Sequence, residues 1–242
     1  EIASCLVGSE MCIRDSTHIA ETLAPLPCIP TRMGMRRPGD AYFASVSLFG
    51  DLPVVALPTL QVKGNLEKLL AALHVRRHVE IQLIFDRLIA AGDWSHVDLV
   101  AYLTKHRDLL SRHEIERLTN TAIFPRADET PAPGKPPHRY KATQLYEPTE
   151  ALRALQLPTL AWPGRPWRAS SDEARFIFAL GLRRHPPLPD LLALASAAQP
   201  DAALRERAFA YLLRHFQEVY AGEYPLKTAA RYAFVPRRAA DA

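Results

Sequence analysis

Between Asn65 and His74 the apolar side chains fall at Leu66, Leu69, Leu70 and Leu73, the i, i+3, i+4, i+7 spacing of one helix face. The same spacing returns at Ile81, Ile84, Phe85 and Leu88, with Gly92 placed to end the helix. Two further helices are announced by capping signals: Ser95 lies three before Asp98, and Ser111 three before Glu114. No proline occurs between Pro58 and Ile123, so the chain is free of the ring that breaks helix interiors. Four helices joined by tight turns are expected there, packed as antiparallel neighbours.

The second half repeats this character. Ala174, Ile177, Phe178 and Gly181 form one stripe while Phe176 and Leu180 cover the other side, which predicts a buried helix. Pro186, Pro187 and Pro189 interrupt the chain, and a Leu-rich helix is expected from Asp190 to Ala198. Pro200 is placed to start the last helix, with Leu204, Phe209, Leu212, Leu213, Phe216 and Val219 facing the core and Gly222 as its stop.

A pattern recurs between the helical blocks. Cys28-Ile29-Pro30-Thr31 leads through a turn to Tyr42 and then to Leu52-Pro53-Val54. Ile123-Phe124-Pro125-Arg126 leads through a proline-rich loop to Tyr146 and then to Leu157-Pro158-Thr159. A third opening appears at Ala233-Phe234-Val235-Pro236. Self-similarity at a fixed period marks an array. The expected fold is therefore mainly α with small β elements, an α+β arrangement of two related units. Each unit is a short strand and loop segment followed by three or four packed helices. The units run over 17–124 and 125–232, with 233–242 opening a truncated third. Chance recurrence of apolar–proline pairs in a chain with 21 prolines is the alternative.

Of the 242 residues, 48% are apolar and 23% charged, which excludes collagen, coiled coil and simple disorder. No stretch approaches the roughly 18 consecutive apolar residues of a bilayer-spanning helix, so no membrane partner is expected. Leu6 to Asp15 reads as a frame translation of a common transposase sequencing adapter, and residues 1–16 are taken as a non-native tail. That tail holds Arg14 against Glu1, Glu10 and Asp15, so without it the net charge rises from +4 to +6. Cys5 and Cys12 leave with it. Cys28 remains alone, a small hydrophobe in a strand, which favours a reducing, intracellular setting. The compartment itself stays unknown.

Candidate chemistry is thin. His74 and His78 have the four-residue spacing of zinc ligands on a helix, but no further ligand follows at a suitable distance. Asp93, Ser95, His96 and Asp98 bring acid, serine and histidine together within one capped turn, whereas catalytic triads assemble from distant segments. Ser111, His113 and Glu114 read the same way, as a helix cap. Lys63-Gly64-Asn65 could hold a phosphate at a helix start, with Asn65 as a plain N-cap the simpler reading. No P-loop, Gly-x-Gly-x-x-Gly or Gly-x-Ser-x-Gly motif occurs. Arg36/Arg37, Arg76/Arg77, Arg183/Arg184 and Arg237/Arg238 would form a basic face if modules stacked in register, although acids are interspersed throughout. Trp162 and Trp167, set among prolines, would either form an aromatic groove for an extended peptide or pin the loop to neighbouring helices. No catalytic, cofactor-binding or metal-ligating residue is assigned.

Four longer strings carry a resemblance: Phe49-Gly50-Asp51-Leu52-Pro53-Val54-Val55, Val62-Lys63-Gly64-Asn65-Leu66-Glu67-Lys68, Leu145 to Leu155, and Phe176 to Leu188. From about Pro25 to Pro236 the chain resembles a family of large fungal proteins of unknown function, whose N-terminal region is similar to the GHKL-type ATPase fold of sacsin and heat-shock chaperones. The resemblance implies an internal segment downstream of that region. It carries over no nucleotide-binding residue. The expected role is a non-catalytic helical scaffold or client-contact module, with neighbouring domains of the parent chain and other proteins as partners. The alternative is a nucleic-acid-binding helical array using the paired arginines.

Overall fold

In the computed structural model, residue 18 and residues 20–43, 46, 48–57, 62–89, 94–131, 137–223 and 226–235 are described. The 1–16 tail, Gly92, Asp93, Pro236 and the Arg237/Arg238 pair lie outside them. Among the described residues the protein is mainly α with small β elements: nine α-helices and one two-stranded sheet. The chain divides into two compact units, Glu1–Trp94 and Ser95–Ala242. The recurring motif instead divides it at Phe124 and Pro125. The helices over 96–105 and 112–120 follow the first motif in sequence and belong to the second compact unit.

The first unit is built on a small frame. Strands β1 (Ile29–Thr31) and β2 (Gly34–Arg36) pair antiparallel, with Thr31 opposite Gly34. Thr31 also bridges Val55, Val54 bridges Tyr42, and Tyr42 bridges Arg76 on its other side. Helix α1 (Asn65–Ala72) and helix α2 (Ile81–Ile89) flank the Arg76 segment in sequence. The core gathers Ile29, Ala41, Phe43, Val55, Leu70, Leu73 and Val75. Helix α1 starts differently from expectation. Gly64, at φ 61°, is the N-cap and Asn65 the first helical residue, because only glycine enters a helix cheaply from that backbone region. Leu70 and Leu73 are buried, but Leu69 is 49% exposed, so the expected stripe is only partly covered. In α2, Ile84 and Phe85 are buried as the spacing requires.

The second unit opens with helix α3 (His96–Lys105), capped by the Ser95 hydroxyl, which accepts from the Asp98 amide at 3.2 Å. Helix α4 (Arg112–Asn120) carries a full capping box: the Ser111 amide donates to Glu114 Oε2 at 2.7 Å, and the Glu114 amide donates back to Ser111 Oγ. Then come α5 (Glu150–Ala154), α6 (Asp172–Ala179), α7 (Leu188–Ala195), α8 (Ala202–His215) and α9 (Leu226–Ala229). Helix α7 packs on α8, α5 on α8, and α3 on α6. That last pair joins helices far apart in sequence, where sequential antiparallel neighbours were expected. The reason is the α3 surface, where Val97, Leu99, Val100 and Leu103 are all buried and need an apolar partner such as α6.

Two proline expectations shift. Pro187 and Pro189 open α7 rather than interrupting the chain, since proline fits the first helical turn. Pro200 lies just before α8 rather than in its first turn, since Asp201 is the cap and accepts from the Leu204 amide at 3.1 Å. Along α8, Leu204, Ala208, Tyr211 and Leu212 face the core while Leu213 is 62% exposed. The helix then widens into a π-helical turn over Phe216–Tyr220, which carries the Tyr220 ring inward so that its hydroxyl donates to the Pro186 carbonyl at 2.9 Å.

The frame of the first unit recurs in the second. In the first, Arg32 donates to Val54, Ala56 to Pro30, Tyr42 to Pro53, Val55 to Tyr42, Phe43 to Arg76 and Arg76 to Ala41, all backbone to backbone. In the second, Ala127 donates to Thr159, Ala161 to Pro125, Tyr146 to Pro158, Leu160 to Tyr146, Glu147 to Arg183 and Arg183 to Leu145. The six bonds match one for one. The helix before each arginine also ends alike, at a residue with positive φ: His74 (62°) and Gly181 (99°).

Candidate functional site

The arginine pairs are the most informative of the expected residues. Arg76 Nη1 donates to the Tyr42 hydroxyl at 3.2 Å, its guanidinium lies 5.7 Å from that ring centre, and it pairs with Glu80 at 3.0 Å. Arg183 repeats the arrangement on Tyr146, at 3.4 Å and 5.7 Å. Arg77 stacks over Phe43 at 5.2 Å and pairs with Glu67, while Arg184 stacks over Phe178 at 4.1 Å. Each guanidinium in these two pairs is held by an aromatic ring of its own unit. Arg36 and Arg37 are exposed on and after β2.

A polar cluster surrounds the second frame. Glu147, in the place of Phe43, is buried and accepts a hydrogen bond from Trp167 Nε1 at 2.7 Å. The Tyr211 hydroxyl meets His185 Nδ1 at 2.8 Å, and the ring of His215 packs 4.4 Å from Tyr211 and 5.1 Å from His185. Burial pushes Tyr211 up to about 12, reinforced by Glu147 and Tyr146. Burial lowers His185, with His215 adding to the effect. Both shifts favour the uncharged forms of the phenol and the imidazole.

A cleft of about 890 Å³ is lined by His96, Arg126, Asp128, Glu129, Arg153 and Trp162 among others. His96 and two carboxylates thus line one cleft, which the local sequence did not show. Its ring is turned inward: Nε2 donates to the Ala161 carbonyl at 2.7 Å, and Phe124 and Trp162 meet it edge-on at 6.4 and 6.0 Å. Burial lowers its pKa, against the opposing pull of the Ala161 carbonyl. Asp128 is bound by Arg126 through Nε at 3.0 Å, and Glu129 accepts from the Tyr140 hydroxyl. Arg126 holds the Asp128 carboxyl below the usual carboxylate range. Sequence reasoning placed Arg126 only in the strand motif and missed Asp128 and Glu129, which follow it in a stretch with no periodic signal.

The remaining candidates separate. His74 sits in the left-handed region after α1 ends and His78 lies in the connection to α2, so they share no helix face. Among the described residues, no group of three or more His, Cys, Asp or Glu could hold a metal ion. Ser95 caps α3, His96 points inward, and Asp98 pairs with Arg165 at 3.6 Å, so these neighbours do not converge. Ser111 and Glu114 are engaged in the capping box, with His113 exposed beside them. The two tryptophans do meet: Trp162 lines the cleft and packs edge-on against Trp167 at 5.4 Å, and Trp167 in turn packs on Phe178 and donates to Glu147. Cys28 precedes β1 and points its thiol at the Leu23 carbonyl at 3.8 Å. No described helix is long and apolar enough to cross a membrane.

No curated protein and no solved structure matches the chain significantly. Residues 9–242 match the family described as protein of unknown function (DUF3684), and the chain belongs to that family.

Proposed function

We propose that the chain is a non-catalytic helical scaffold, a partner-contact module of a large fungal protein that carries a sacsin-like, GHKL-type ATPase region elsewhere. The observation that supports this reading is the pattern of what recurs between the two frames. Backbone bonds, tyrosine and arginine are kept at equivalent places. Groups that could do chemistry are not: Glu147 takes the place of Phe43, and Ala202 opens α8 where His96 opens α3. A frame whose backbone bonds and tyrosine–arginine pair recur while its histidine and carboxylate do not is suited to holding helices in position. The neighbouring domains of the parent chain are the expected partners.

Cross-linking of the parent protein through the exposed lysines of this segment, Lys63, Lys68 and Lys105, tests the proposal. Links from these residues to other domains of the same chain are expected. Links confined to the segment, together with salt-dependent binding of an oligonucleotide by the purified chain, would overturn it.

A further inference from the structure

One edge of the small sheet in the first unit is open. Strand β1 meets β2 on one side and the Val54–Ala56 segment on the other, whereas β2 pairs with β1 alone among the described residues. Pro30 stands opposite Met35 and fixes which groups of β2 are left over. Proline has no amide hydrogen, and its carbonyl accepts from the Ala56 amide at 3.0 Å, on the side away from β2. Pro30 and Met35 are therefore a pair without ladder bonds, and the Met35 amide and carbonyl point outward from the sheet. All of β2 is exposed, Met35 at 52% and neighbouring Met33 at 46%. Arg32, Arg36 and Arg37 surround these methionines, are exposed, and have no ion pair or ring contact among the described residues. Between Glu21 and Asp40 the chain carries these three arginines and no acid. The corresponding place in the second unit is closed. Tyr140 stands opposite Phe124 as Arg36 stands opposite Ile29, and each leads into a 3₁₀ turn, Ala142–Gln144 or Pro38–Asp40. The Lys141 amide donates to Gln144 Oε1 at 2.9 Å, and half-buried Arg139, in the place of Met35, donates to the Ile123 carbonyl at 3.1 Å. Arg37 opens its turn without such a bond.

We propose that the open edge of β2 receives an extended acidic segment of a partner protein, added to the sheet as a third strand. Backbone and charge select this occupant together. A strand offers the N–H and C=O that complement the outward groups of Met35, and carboxylates along it answer Arg36 and Arg37. Met33 and Met35 give the contact an adaptable apolar floor. A lipid surface would instead place the Met35 backbone groups in a medium that cannot satisfy them. The inference rests on reading the chain as a partner-contact module and supplies the chemistry of one partner.

Fluorescence anisotropy of the purified chain with a labelled peptide of about six residues, alternating valine and glutamate, tests this. The natural sequence should bind the peptide. Methylating the peptide amides keeps every charge but removes the pairing hydrogens, and should weaken binding by about tenfold or more. Arg36→Glu together with Arg37→Glu should weaken it by a similar factor. Met35→Pro should do so with no change of charge, because the amide it removes faces outward and makes no ladder bond. Thermal unfolding shows whether Met35→Pro folds; if it does not, the methylated peptide carries the backbone test on the natural chain. Absence of binding by the natural chain overturns the proposal. Equal binding of the methylated peptide also overturns it, since charge attraction alone would then suffice. Pelleting with vesicles of phosphatidylserine and phosphatidylcholine, without peptide binding, assigns the edge to a membrane and overturns it as well. The first lysine of the chain is Lys63, so the cross-links that test the scaffold reading do not pass through β2, and the two failures are distinguishable.

Discussion

The guanidinium of Arg183 lies 5.7 Å from the centre of the Tyr146 ring and donates to its hydroxyl at 3.4 Å, across 37 residues of chain. The same two residues are joined through the backbone, since Tyr146 bridges Arg183 in parallel register. Side chain and main chain therefore fix one strand position twice. Tyr146→Phe and Arg183→Ala should each destabilise the protein by about 0.5–1.5 kcal/mol, the range of a hydrogen bond with a cation–π contact. A double-mutant cycle read by urea denaturation should return a coupling of roughly 0.5–1 kcal/mol. Additive losses would show that the pair is merely adjacent.

Helix α6 ends at Gly181 with φ 99°, and a Cβ there would meet the Thr143 Cγ2 at 2.6 Å. Gly181→Ala should cost about 1–3 kcal/mol from backbone strain and this close contact. Adding Thr143→Ser should recover the part due to the methyl group. At the corresponding place His74 already sits at φ 62°, so His74→Gly should leave stability unchanged or raise it by up to about 1 kcal/mol. Thermal unfolding of the three variants checks both signs.

Equivalent positions with unequal burial should respond unequally. Phe176→Ala, at a fully buried site, should cost about 3–5 kcal/mol. Leu69→Ala, at an exposed site, should change stability by no more than about 0.5 kcal/mol. Equal losses in denaturant titrations would mean that α1 is covered as completely as α6.

Acid should weaken the fold in two windows. The Ser111 hydroxyl, and then its amide, hold Glu114 below the ordinary carboxylate range. Its contribution is present above that range and disappears as pH falls through the folded value. Ser111→Ala should cost about 1 kcal/mol near neutrality and flatten this acid limb. Burial lowers both His96 and His185, so the folded state resists their protonation, and stability declines as pH falls from about 6.5 toward the folded values. His96→Gln should flatten that upper limb. Urea midpoints measured from pH 7.5 down to pH 3 separate the two windows.

Much of the helical layout was legible because capping and amphipathic spacing are local. Ser95, Ser111 and the Ile84/Phe85 face are placed as their sequence neighbourhoods require. The strand and loop motif was visible through Tyr42 and Tyr146, and the paired arginines were visible separately. Their union was not, because a contact spanning 34 or 37 residues leaves no trace in periodicity. Leu69 and Leu213 sat on apolar stripes and are exposed, since a stripe identifies a contact face without saying what covers it. The Arg126, Asp128 and Glu129 lining of the His96 cleft brings together residues distant in sequence, which local pattern does not encode. The family match begins at residue 9, inside the segment read as an adapter-derived tail.

The reading of this chain as two frames, each presenting the helices of its own unit, is tested most directly by residue-resolved amide hydrogen exchange. The amides of Tyr42, Phe43, Val55 and Arg76, and those of Tyr146, Glu147, Leu160 and Arg183, donate the matching backbone bonds. Both sets should fall in the slowest-exchanging class of their own unit, with similar protection. Rapid exchange at either set, with protection confined to the helices, would contradict the account.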